Sequence, residues 1–148
     1  MTDFKKALAE GLEVGRDAED ARSEISSVFE DLNAQLLDAT GGRIEIRRVT
    51  LKRHTPGANV VLEAAAYAAG WRPAKYQALI AKDIEADTER YVELAEWRPG
   101  PYGGYPCVII YGDSEFSCGD KHALESALSD MLKWPDIGAK LYKFIPGE

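Results

Sequence analysis

Apolar residues recur at helical spacing from the N-terminus to Gly41-Gly42, and beyond that point the chain switches to strand-like alternation. Thr2 is placed to cap the helix. Its apolar positions run through Phe4, Leu8, Val14, Ala18 and Ala21, then through Ile25, Val28, Phe29, Leu32 and Leu36. Between Glu10 and Glu24 the seam holds only Gly11, Val14, Gly15, Ala18 and Ala21, and an interior glycine costs about 1 kcal/mol relative to alanine. The pattern predicts a break near Gly11 to Gly15. It also predicts a firm half from Ala21 to Ala39 lying on a sheet, and a loosely packed arm over residues 1–20.

After Gly42, Arg43-Ile44-Glu45-Ile46-Arg47 alternates, and Arg48-Val49-Thr50-Leu51-Lys52 alternates with the apolar phase shifted by one. An extra residue would produce that shift, so a strand with a bulge is predicted. Thr55-Pro56-Gly57 turns the chain. Residues 58–69 mix strand-favouring Val60-Val61 with helix-favouring Leu62-Glu63-Ala64-Ala65-Ala66, and their state stays open. Two strands follow, Tyr76 to Asp83 and Arg90 to Trp97, separated by the polar stretch from Glu85 to Glu89.

Cys107 to Cys118 reads as a tight hairpin turning at Gly112-Asp113. That turn pairs Tyr111 with Ser114, Ile109 with Phe116 and Cys107 with Cys118 on one face, and sends Val108, Ile110, Glu115 and Ser117 to the other. Asp120 then caps a helix with the stripe Leu124, Ala127, Leu128, Met131 and Leu132, ending at Trp134 because the residue before Pro135 disfavours helical geometry. A last short helix carries Ile137, Leu141 and Phe144. The order is that of an α+β fold: a long N-terminal helix, an antiparallel sheet of four to five strands built from hairpins, and C-terminal helices packed on one sheet face.

At 148 residues the chain matches one ordinary domain, residues 1–148, able to bury a core without disulfide or metal staples. No stretch approaches the roughly 18 apolar residues of a membrane span. Met1-Thr2-Asp3-Phe4-Lys5-Lys6 is not followed by the apolar core of a secretory signal, so a cytoplasmic protein without a membrane partner is expected. The net charge of −7 argues against nucleic acid as partner.

Cys107 and Cys118 are read first as two small buried hydrophobes, with a disulfide as the alternative. Cys107, Cys118 and His122, with His54 as a distant fourth, would complete a zinc set but lack the short Cys-x-x-Cys spacing that marks such sites. Cys118 before a helix N-terminus, with His122 one turn on, would be the nucleophile and base of a small cysteine-dependent enzyme. However, the register that opposes the cysteines points Cys118 into the core. No catalytic motif is found, and no cofactor is implied.

Arg43, Arg47, Arg48, Lys52 and Arg53 stand against Glu45 alone in an otherwise acidic chain. They read as a charged edge or outer face, as a phosphate- or RNA-binding surface that the net charge of −7 disfavours, or as a surface for an acidic partner protein. The loop Arg98-Pro99-Gly100-Pro101-Tyr102-Gly103-Gly104-Tyr105-Pro106 offers tyrosine contact area on a proline-stiffened backbone, as protein interfaces do. The leading expectation is a non-enzymatic protein-binding module, an accessory, inhibitor or immunity-type protein that occupies a partner's surface through Arg98, Tyr102, Tyr105, Arg47, Arg48, Lys52 and Arg53. A homodimer through the N-terminal helix is the structural alternative. In general character the chain is similar to small accessory proteins of phages and mobile elements; no motif places it in a family.

Overall fold

A computed structural model describes residues 1–53, 60–72, 74–84 and 90–144. The expected His54, the turn at 55–57 and the polar stretch at 85–89 lie outside the described residues.

The fold is α+β. Helix α1 (Phe4–Ala39) is followed by strand β1 (Ile44–Lys52), helix α2 (Val60–Ala68) and strands β2 (Lys75–Asp83) and β3 (Tyr91–Arg98). The hairpin strands β4 (Cys107–Tyr111) and β5 (Ser114–Cys118) and the helices α3 (Lys121–Lys133) and α4 (Pro135–Tyr142) complete it. The five strands form one antiparallel sheet in chain order.

Helix α1 is continuous through Gly11 and Gly15, so the expected break is absent. The packed half supplies the nucleus, and each further turn adds its hydrogen bonds without paying nucleation again. Its cap is Asp3 rather than Thr2: the Asp3 carboxylate accepts from the Lys6 amide at 3.0 Å. Residues 58–69, left open by their sequence, contain α2. A dense alanine run outweighs two valines there, as helix propensity predicts.

Strand β1 is unbulged, pairing with β2 in one register from Ile44 opposite Asp83 to Lys52 opposite Lys75. Its apolar residues change sheet face instead. Ile44 and Ile46 point under the helices, whereas Val49 and Leu51 join Ile80 and Tyr91 around a hollow of about 230 Å³ on the opposite face. The irregularity lies one strand further on. Leu79 opposes Ala95 and Ile80 opposes Glu93, leaving Leu94 as the extra residue of β3, buried beside Ala95.

One sheet face is covered by α1, α3 and α4. Ile25, Phe29, Ile46, Leu79, Trp97 and Ile109 form the centre of a core that α3 extends with Leu124 and Met131. Phe29 meets Trp97 edge to face with centroids 5.4 Å apart. Asp120 caps α3 through the Ala123 amide at 2.8 Å, and Trp134 is extended at ψ 131° before Pro135, as the sequence predicts. The N-terminal part of α1 overhangs the sheet: Phe4, Leu8, Leu12 and Val14 are 56–76% exposed.

Candidate protein interface at one end of the sheet

Antiparallel pairing collects the end of β1, the start of β2 and the end of β3 at one edge of the molecule. Lys52 stands directly opposite Lys75, a like-charged pair that costs stability. Arg53 follows, its amide donating to the Ala74 carbonyl at 2.7 Å, which draws the two legs of the α2 excursion together. Helix α2 therefore emerges from this end. It is apolar, yet Val61 and Leu62 are 76% and 63% exposed. Arg72 closes the helix by donating to the carbonyls of Tyr67 and Trp71 at 2.8 and 2.9 Å and by stacking on the Tyr67 ring.

At the same strand ends lies a cavity of about 390 Å³ lined by Arg53, Lys75, Tyr76, Glu96 and Arg98. Glu96 accepts from both guanidiniums, from Arg98 at 2.8 Å and from Arg53 in close contact. Arg53 also lies over the Tyr76 ring at 4.6 Å. Burial, then a 2.9 Å hydrogen bond to the Glu93 carboxylate, hold the Tyr76 hydroxyl above the usual tyrosine range. Three cations thus face one carboxylate in a chain whose net charge is −7. Neither Lys75 nor Glu96 was singled out from sequence. Only the pairing of strand ends, which joins positions far apart in the chain, could have pointed to them.

The loop from Arg98 to Pro106 sits at the same end, and its two tyrosines differ. Tyr105 folds back on α1, where its hydroxyl donates to the Glu24 carboxylate at 2.8 Å. Tyr102 is 74% exposed and has φ 58°, a left-handed conformation costly for a residue with a side chain. The loop is held from below. Arg22 donates to the Tyr102 carbonyl at 3.2 Å, and a Cβ on Gly100 would meet the Pro106 carbonyl oxygen at 2.4 Å.

The basic strand is divided between faces. Arg47 turns to the open face and pairs with Glu45 at 2.8 Å, whereas Arg48 lies over Phe29 at 4.6 Å and Trp97 at 5.9 Å on the helix side. Lys52 is exposed at the end of β1. The expected site residues Arg98, Tyr102, Lys52 and Arg53 therefore share one end of the sheet, Arg48 lies at the middle of β1 on the helix side, and Arg47 and Tyr105 look elsewhere.

The cysteines pair as the hairpin register requires, and both are buried free thiols. Burial, then the neighbouring Cys118, pushes the Cys107 thiol up to about 12, and burial also raises Cys118. His122 is exposed on the outer side of α3, so the structure does not bring it to the thiols. Among the described residues no group of three His, Cys, Asp or Glu side chains could hold a metal ion.

No protein-family model, curated protein or solved structure matches the chain. No helix among the described residues is long and apolar enough to cross a membrane.

Proposed function

We propose that this protein is a non-enzymatic protein-binding module, of accessory, inhibitor or immunity type, that occupies an acidic surface of a partner protein with the α2 end of its sheet. The observation that carries this reading is the gathering of Arg53, Lys75 and Arg98 around one cavity at the strand ends, between two of which, Arg53 and Lys75, the chain makes its excursion through the exposed apolar helix α2. Apolar area supplies affinity, and a ring of cations selects a patch rimmed by carboxylates and steers the encounter. Lys52 against Lys75 fits the same reading, because an opposing acid relieves a repulsion that the isolated chain must bear.

The test is capture of partners by the tagged protein from lysate of its host, beside an Arg53→Glu/Arg98→Glu variant and a Leu62→Glu variant. One stoichiometric partner is expected, lost with both variants and weakened by salt. A partner retained by both variants would move the interface elsewhere. Absence of any partner across salt conditions would end the reading.

A further inference from the structure

On the helix side of the same sheet end a second cleft, of about 410 Å³, lies between α1 and the sheet, lined by Arg22, Ser26, Arg48, Gln77, Trp97 and Gly103. Its floor is the indole of Trp97, 2% exposed and clamped edge to face by Phe29. Arg48 is laid over both rings, with its Nη2 3.4 Å from the Ser26 hydroxyl. The two rings hold the guanidinium against the wall of the cleft that Arg48 lines.

Four other arginines at the sheet have an acid: Arg43 has Asp83, Arg47 has Glu45, and Arg53 and Arg98 share Glu96, whereas Arg90 is held by the Lys143 carbonyl and the Phe144 ring. Among the described residues Arg48 has none; its contacts there are a hydroxyl and two rings. Burial lowers its pKa, outweighing an opposing interaction with Cys107, as expected of a cation taken partly out of water. Opposite it, Arg22 is engaged by Glu19 on its own helix face and by the Tyr102 carbonyl. Such an exposed pair is weak and free to be outcompeted. Ser26 and Gln77 add a hydroxyl and an amide.

We propose that this cleft is an oxyanion site, in which a single carboxylate or phosphate group sits against the Arg48 guanidinium, is met by Arg22 from the facing wall, and takes further hydrogen bonds from Ser26 and Gln77. A planar guanidinium offers two parallel donors to two oxygens, the geometry shared by carboxylates and phosphates. The acidic remainder of the protein opposes this weakly, since charges more than about 8 Å away are largely screened at physiological salt. The site does not depend on the partner-binding reading, because a free anion can fill it.

The experiment titrates inorganic phosphate, and separately glutamate with blocked amine and α-carboxyl groups, into the 15N-labelled full chain. Saturable shifts are expected at the Ser26 and Gly103 amides and the Arg48 Nε–H, with dissociation constants in the millimolar range. Whichever probe saturates at lower concentration identifies the preferred group. Arg48→Gln should weaken binding at least tenfold while its spectrum stays folded, and Arg53→Gln, in the neighbouring cavity, should leave it unchanged. Loss of affinity in Arg53→Gln but not in Arg48→Gln would transfer the site to the other cavity and overturn the proposal. So would shifts scattered over all surface cations, or no saturable shift up to high millimolar anion.

Discussion

The side chain of Asn33 grips the backbone of Ile46 by both of its polar atoms: its Nδ2 donates to the Ile46 carbonyl at 2.9 Å, and its Oδ1 accepts from the Ile46 amide at 2.8 Å. Strand β1 is a sheet edge, and Ile46 is one of its outward-facing backbone units. The amide imitates a neighbouring strand for one residue, satisfies the edge and fixes where α1 crosses it. Replacing Asn33 with alanine strands both groups. Asn33→Ala should lower stability by about 1–3 kcal/mol, measured by urea unfolding, whereas Gln35→Ala on the exposed side should stay within about 0.5 kcal/mol.

The hairpin turn has no room for a side chain. Gly112 has φ +59°, and a Cβ there would meet the Trp134 ring at 2.5 Å. Trp134 cannot retreat easily, because it is packed on Tyr111 with centroids 5.0 Å apart, and Tyr111 is stacked on Phe116. Gly112→Ala is expected to cost about 2–4 kcal/mol, the left-handed penalty and the overpacking together. A thermal melt within 2 °C of the unsubstituted protein would contradict this account, since about 1 kcal/mol moves a domain of this size by more than that.

Thiol burial makes stability sensitive to alkaline pH. An acid whose pKa is raised on folding holds its proton longer in the native state than in the unfolded one, so stability falls as pH rises between the two values. For Cys107 that window opens near the ordinary thiol value of about 8.5 and closes at about 12. Unfolding free energy should decline from pH 9 upward, and the decline should be shallower in Cys107→Ala. At pH 8 the folded protein should react slowly with a thiol reagent, and both thiols should react at once in denaturant.

Tyr102 and Tyr105 should separate binding from stability. Tyr105→Ala removes a ring packed beside the core and the hydrogen bond to Glu24, with an expected loss of about 1–3 kcal/mol. Tyr102→Ala removes a side chain that stands in solvent and should leave the urea midpoint unchanged. A partner bound at this end of the sheet should lose at least tenfold affinity for Tyr102→Ala, by titration calorimetry. Equal effects of the two substitutions on stability would mean that the loop is held otherwise.

What the amino-acid sequence determined by itself was local. Ile25, Val28 and Phe29 recur at helical spacing, Pro135 stops α3 at Trp134, and two residues between alternating runs set Cys107 opposite Cys118. Each follows from backbone geometry within a few residues, so the α+β order of elements was legible. The glycines misled because their cost is local whereas the continuity of α1 is cooperative. The apolar phase shift in β1 misled for another reason. Alternation reports which face is apolar only while one face is covered, and Val49 and Leu51 use the second face without any bulge. Tertiary structure alone decided the rest. Strand pairing joined Lys52 to Lys75 and Arg53 to Glu96, the crossing of α1 laid Arg48 over Phe29 and Trp97, and the folding back of the loop divided Tyr102 from Tyr105. These contacts link residues tens of positions apart, and their energies depend on distances that no periodicity along the chain encodes.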